Sequence, residues 1–299
     1  MNHPVFLANW HSHTFRCKHA AGDVADYCAA ARQAGLTTLG ISDHSPTKDG
    51  RWSGVRMDYA LMPDYIAAID RAAAEYPDIR LYKGLECEWV PAFGRGWFEE
   101  DLRGRYGLDY IALAPHSFTM EAGSDHWYNS FLRAPGIDQK AWLGGYTRYL
   151  VEAIGTGLFD FVAHPDLIGC FCTAWTPDCD AAARDIVQAA RDARMPLELN
   201  TSGFRKPWVT DDDGQERPQY PWLPFWRLAA EEGATVIVNT DAHAPDLIAA
   251  SLDEAFALAD AAGFTVKVPL SPADMRPRAT RRESGGGGRG RSGRAGRGG

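Results

Sequence analysis

Val5-Phe-Leu-Ala-Asn-Trp-His-Ser-His13 is the stretch on which the reading of this chain turns. An apolar run ending at Trp10 passes directly into two imidazoles at i and i+2. On a strand, His11 and His13 project to one side, whereas on a helix they diverge by about 200°. Further short apolar runs follow at Thr37–Ser42, Ile79–Leu85, Tyr110–Ala114, Phe159–Ala163, Leu197–Leu199 and Thr235–Asn239, with a last one near Phe264–Val268. Between them lie helix-like segments: Asp23–Ala34, Pro63–Tyr76, a short piece near Phe98–Arg105, Gln139–Ile154, Asp180–Arg194, Trp222–Glu232 and Asp246–Ala261. Asp23 suits an N-cap, Gly35 a helix stop and Pro63 a first helical turn. Continuous apolar strands separated by helices predict a parallel sheet covered by helices. Seven or eight such units in series predict a closed α/β barrel. Two polar stretches, Ser117–Gly136 and Thr201–Tyr220, are long for connections. Both follow strands, so a barrel would place them on its catalytic face.

Composition bounds the class. At 299 residues with 45% hydrophobic and 23% charged side chains, the chain can bury a sizeable core, which excludes global disorder. No apolar run approaches the ~18 residues of a membrane span, and no basic region precedes a long apolar stretch near Met1. The expectation is a soluble, cytoplasmic protein. Net charge is −8, but residues 276–299 hold eight Arg and one Glu, so residues 1–275 carry −15. An acidic body lacks the basic footprint of a nucleic-acid binder. The Arg/Gly-rich tail reads as a disordered extension without aromatics on which bases would stack, leaving at most weak nucleic-acid contact. Residues 1–275 are therefore expected to form one domain and 276–299 a tail. The six cysteines lack paired spacing, which favours free thiols over a zinc knuckle or disulfides.

Histidine placement carries the chemistry. Seven of the nine histidines fall at or just after the C-terminal end of an expected strand: His11, His13, His19, His44, His116, His164 and His243. Glu86 and Asp241 occupy equivalent positions, and Asp241-Ala-His243 repeats the i, i+2 geometry of His11 and His13. Barrel active sites form at that rim, so residues distant in sequence converge there. Imidazole with carboxylate suits Zn, Fe or Mn, and nine donors are too many for one ion, so two or three divalent metal ions are expected. Buried together without metal, so many imidazoles would leave costly unpaired groups.

The ordered motifs resemble the PHP (polymerase and histidinol phosphatase) family, and within it the histidinol-phosphatase branch. The resemblance spans about Asn9 to Pro245 and rests on His11-Ser-His-Thr-Phe-Arg-Cys-Lys-His19, Asp43-His-Ser-Pro46, Gly84-Leu-Glu86, His164-Pro-Asp-Leu167 and Asn200-Thr-Ser-Gly-Phe-Arg-Lys-Pro207. It implies a distorted (β/α)7 barrel of TIM type with a trinuclear centre. His11, His13, Glu86 and Asp241 would hold one ion, Glu86 with His116 and His164 a second, and His19, His44 and His243 a third. The implied activity is hydrolysis of L-histidinol phosphate, a small-molecule phosphomonoester, by a hydroxide bridging two ions.

Arg205 offers a fork for phosphate or else a surface ion pair, and Lys206 is a further phosphate candidate. Asp241 or His243 is a candidate proton donor to the leaving alkoxide. His126 reads as a substrate contact or a solvent-exposed loop residue. Glu88 suits support of a metal ligand, and Asp43 and Asp166 suit imidazole orientation or helix capping. Cys17 reads as a packed thiol, His3 as terminus, and Trp222–Trp226 as core. Alternatives are a family phosphoesterase acting on a nucleotide or phosphotyrosine, and an RNA-associated module working through the tail. A tail-driven protein would lose salt-sensitive RNA binding on deletion of residues 276–299. The barrel reading expects the truncated protein to release phosphate from its substrate at the full-length rate.

Overall fold

The computed structural model describes residues 6–132 and 136–275. Its strands, in chain order, are β1 (Ala8–Asn9), β2 (Thr38–Ile41), β3 (Arg80–Cys87), β4 (Tyr110–Leu113), β5 (Ser117–Thr119), β6 (Trp127–Asn129), β7 (Phe161–Val162), β8 (Leu197–Asn200), β9 (Val209–Thr210), β10 (Glu216–Arg217) and β11 (Val236–Asn239). Seven of them form one parallel sheet in the order β1-β2-β3-β4-β7-β8-β11, curled into a nearly closed barrel. Around it lie the helices Val24–Gln33, Met62–Glu75, Gln139–Gly155, Pro177–Asp192, Leu223–Glu231 and Leu252–Ala262. Asp23 caps the first of these in a capping box with Asp26, and Pro63 sits in the first turn of the second.

Alternation along each strand separates two cores. Leu85, Cys87, Ile111 and Leu113 face outward into the layer shared with the helices, whereas Trp10, Tyr110, Ala112, Phe161 and Ala163 fill the barrel. Tyr110 sets the floor. Its hydroxyl donates to the Trp10 carbonyl at 2.8 Å, and its ring lies flat against two glycines. A Cβ at Gly40 would stand 2.3 Å from Tyr110 Oη, and one at Gly84 2.2 Å from Cζ. Only glycine leaves room for the ring there.

The seam between β11 and β1 is closed by side chains. Trp10 N donates to Asn239 Oδ1 at 2.8 Å and Thr240 N to Asn9 Oδ1 at 2.9 Å. Above them His13 N donates to the Ala242 carbonyl and Ala242 N to that of His11. With this edge of β11 already engaged, the run expected near Phe264–Val268 is no eighth strand. It makes one parallel bridge, Lys267 to Ile237, after which the chain crosses the lower mouth of the barrel. There the Pro269 carbonyl accepts from Trp10 Nε1 and Met275 joins the interior cluster.

Other expectations are refined. The short helix near Phe98–Arg105 is a π-helix, Trp97–Arg105. The two long stretches hold the hairpins β5–β6 and β9–β10, the second preceded by a 3-10 turn, Thr201–Arg205. All six cysteines are free thiols. Among the described residues no helix is long and apolar enough to cross a membrane. The Arg/Gly tail and His3 lie outside the described residues.

Crowding at Gly84 gives a direct test of the barrel interior. Gly84→Ala is expected to cost about 1–3 kcal/mol by overpacking against Tyr110. The measurement is the urea midpoint, and an unchanged midpoint would contradict the packing described.

Candidate metal centre

Strand direction delivers the polar residues to one rim. His11 and His13 follow β1, His44 follows β2, Glu86 lies near the end of β3, and His116 follows β4. His164 follows β7, and Asp241 and His243 follow β11. His19 arrives from the 3-10 turn Phe15–Cys17, with Nδ1 held 2.9 Å from the Cys17 carbonyl. His164 and Asp241 have φ of 29° and 47°, left-handed values uncommon for non-glycine residues and concentrated at functional sites.

Glu86 is the hub, fully buried. Its Oε1 lies 2.9 Å from His164 Nε2, 3.1 Å from His116 Nε2 and 3.4 Å from His11 Nε2. Its Oε2 lies 2.9 Å from His44 Nδ1 and 3.7 Å from His13 Nε2. Asp241 Oδ1 is the second anionic centre, 2.9 Å from His13 Nε2, 3.5 Å from His11 Nε2 and 3.3 Å from His243 Nδ1. At the outer edge His243 Nε2 and His19 Nε2 stand 3.2 Å apart. The nine residues expected from sequence thus share one pocket.

Their donor atoms fall into overlapping groups: His11–His13–Asp241, His11–Glu86–His164, His13–His44–Glu86 and His19–His44–His243, the atoms of each within 4.8 Å of one another. The donors fit a cation. His11 Nε2, both ring nitrogens of His13, His44 Nδ1, Glu86 Oε2 and Asp241 Oδ1 are buried without a hydrogen-bond partner. Each orphaned group costs about 1–3 kcal/mol unless something binds it. Cys17 also lies beside His13 and His243, but burial, reinforced by Asp43, pushes its thiol up to about 12, which makes it a packed thiol.

Electrostatics points the same way. Burial pushes the Glu86 carboxyl up, yet the neighbouring imidazoles of His116, His11 and His44 hold it well below the usual carboxylate range. Asp241 is depressed likewise, against burial, by His11, His243 and His13. His116 is raised to about 9, burial opposing and the charges of Glu86 and Glu88 prevailing. His44, by contrast, is driven well below its ordinary value by burial and by the charge of Arg56. The carboxylates demand positive charge at the centre, while the crowded imidazoles cannot all take protons. Divalent cations meet both conditions.

Two functional residues escape sequence reasoning. Glu198 in β8, buried, accepts from His11 Nδ1 (2.8 Å), Asn239 Nδ2 (2.8 Å), His164 N (3.0 Å) and Asn200 Nδ2 (2.9 Å). It thereby fixes Nδ1–H on His11 and leaves Nε2 for the centre. The one signal for it is an acid facing inward between Leu197 and Leu199. Arg56, in the connection after β2, is buried beside Glu88 and His116 and carries no motif. Glu88 accepts from His116 Nδ1 at 2.9 Å, the supporting part expected of it. Asp43 stands 3.5 Å from His13 Nδ1 and accepts from Thr14. Asp166 instead anchors Trp222 N and Trp226 Nε1 in the core, its carboxyl raised to about 7 by burial.

A cavity of about 370 Å³ opens above the centre, its wall including Trp52, Arg56, Phe131, Lys206 and Tyr220 beside His19, His44, His116, Asp241 and His243. Lys206 lines it. Arg205 is absent from the wall, its guanidinium donating to the Thr201 carbonyl and hydroxyl and the Thr240 carbonyl. His126 stands exposed against Tyr128, outside the wall.

Fold and site together define an α/β barrel with a polyhistidine, metal-competent pocket at its strand ends. The chain belongs to the PHP-domain family, whose pattern matches residues 9–202. It is 34% identical over 257 residues to a probable histidinol-phosphatase of Deinococcus radiodurans, covering 80% of this chain and 87% of that protein. It is 26% identical to a probable phosphatase of Shewanella amazonensis, covering 90% and 89%. Among solved structures it is similar to a histidinol phosphate phosphatase of Lactococcus lactis, complexed with zinc, L-histidinol and phosphate. That likeness has a TM-score of 0.68 at 16% identity, covers 91% of this chain and 99% of the other, and shows the shared fold.

Glu198→Gln would turn an amide toward groups that need an acceptor and release His11 from its tautomer. Metal affinity is expected to fall by roughly 10–100-fold with the fold retained. Metal content after graded chelator dialysis, alongside circular dichroism, measures it; an unaltered chelator midpoint counts against the role of Glu198.

Proposed function

We propose that the protein is a cytoplasmic, metal-dependent phosphomonoesterase that hydrolyses L-histidinol phosphate to L-histidinol and phosphate. The observation that carries this reading is the Glu86 carboxylate buried among five imidazoles, two of which, His44 and His116, line a cavity with a cationic side chain, Lys206, in its wall. The relative from Deinococcus radiodurans supports the substrate by its name.

Two or three ions, drawn from Zn, Fe and Mn, would be held by His11, His13, Glu86 and Asp241, by Glu86, His116 and His164, and by His19, His44 and His243. When bound, they supply Lewis acidity toward the phosphoryl oxygens and toward water at neutral pH. The chain's own groups do the rest. Glu198 and Glu88 hold the far nitrogens of His11 and His116, and Asp43 stands 3.5 Å from that of His13. Lys206, in the cavity wall, would offer positive charge to the phosphate, and Asp241 or His243, in the same wall, would pass a proton to the departing alkoxide oxygen. Trp52, Phe131 and Tyr220 exclude water and present aromatic surface suited to the imidazole of histidinol. Another phosphomonoester is the second reading, favoured by the broader description of the Shewanella relative as a probable phosphatase.

A panel of phosphomonoesters with the metal-loaded enzyme separates the two readings. Histidinol phosphate is expected to give the highest kcat/KM; if a nucleotide or phosphotyrosine exceeds it, the substrate assignment falls. Exhaustive chelation and Glu86→Ala are each expected to reduce phosphate release to background, with metal content falling in parallel.

A further inference from the structure

Arg56 has no place in any motif, yet among the described residues it is the one arginine in the wall of the cavity. It is 4% exposed, in the connection between β2 and the helix Met62–Glu75. Its Nη2 donates to Glu88 Oε1 and lies 3.3 Å from His116 Nδ1, while Nη1 donates to the Val55 carbonyl at 3.0 Å. His116 Nδ1 is itself 2.9 Å from Glu88 Oε1, so Glu88 gathers both groups. The guanidinium carries five N–H donors, and Nε is buried without a partner in the protein. A buried cation beside imidazoles that gather metals is repelled by them, and Glu88 offsets only part of that cost. A dianion in the cavity offsets the rest. Arg205, to which the sequence pattern directs attention, lies outside that wall, with Nη1 and Nη2 turned to Thr201 and Thr240.

Building on the phosphatase reading, we infer that Arg56 is a phosphate-binding residue of this site, donating its free N–H groups to the phosphoryl oxygens from the side where Glu88 and His116 stand. Glu88 is its positioning partner, holding the guanidinium at the wall and keeping His116 in one tautomer. The planar fork suits two oxygens at once, which an ammonium does not.

The test uses metal-loaded protein and inorganic phosphate as the probe, so it is independent of the organic half of the substrate. Phosphate affinity is measured by calorimetry for wild type, Arg56→Gln, Arg56→Lys and Arg205→Gln, with metal content and thermal midpoint recorded for each. Arg56→Gln is expected to keep its metal and weaken phosphate binding about tenfold or more, raising KM more than it lowers kcat. Arg56→Lys should restore part of the affinity, and Arg205→Gln should leave it within about twofold of wild type once folded protein is compared. Unchanged phosphate affinity in metal-replete Arg56→Gln overturns the inference, as does a loss that tracks metal content alone. Arg56-dependent phosphate binding without turnover of histidinol phosphate would uphold it while removing the substrate assignment. Wild type that binds no phosphate removes both.

Discussion

A carboxylate with no access to water dominates this molecule. Burying the charge of Glu86 costs several kcal/mol unless cations or strong donors surround it. Five imidazoles from four separate strand ends do so, and that demand dictates the geometry of the rim. The inward face of β3 shows how the arrangement is layered. Gly84 makes room for the Tyr110 ring that closes the floor, Glu86 sits above it as the hub, and Glu88 above that takes His116 and Arg56. Two alternate residues of β3 and the one just past its end, Glu88, therefore provide packing, charge and orientation in succession.

Around the hub the same device recurs. His11 is paired with Glu198 and His116 with Glu88, and His13 lies close to Asp43, each carboxylate on the nitrogen away from the shared centre. An imidazole held this way has one lone pair left in a known direction, so the donor atoms are placed before any cation arrives. Asn9 and Asn239 extend the principle to the backbone. They close the barrel seam with amide groups and put β1 and β11, which bring His11, His13, Asp241 and His243, at a fixed separation.

What was legible in the sequence follows from these physics. Strands buried on both faces are mostly apolar, so the seven sheet strands stand out as short, largely hydrophobic runs, with the partly exposed start of β3 the most polar. Few side chains can bind divalent ions, so histidines following those runs mark the rim without coordinates. Glu198 and Arg56 were not legible because a single acid or arginine has many ordinary uses, and only contact with His11 or His116 distinguishes them. The segment near Phe264–Val268 misled for a related reason. Its apolar residues are needed inside the barrel mouth, and burial there selects the same residue types as a strand does. Arg205 shows the reverse limit, since motif position said nothing of its orientation, with Nη1 and Nη2 turned to Thr201 and Thr240 and away from the cavity wall.

Charge poses the remaining problem. Residues 1–275 carry −15, so the body repels a phosphate dianion at a distance. At physiological ionic strength exposed charges more than about 8 Å apart are largely screened, and the field within the cavity outweighs the total. There the wall sets Lys206 and Arg56 beside the histidine cluster, against the single acid Asp241, whose charge is directed to His11, His13 and His243. An anion entering the cavity thus meets positive charge only over its last few ångströms. Such a field contributes little to long-range steering and much to holding the ligand once seated. A sequence with a strongly negative total can accordingly serve an anionic substrate, provided cations such as the buried Arg56 stand in the cavity wall, where screening is weakest.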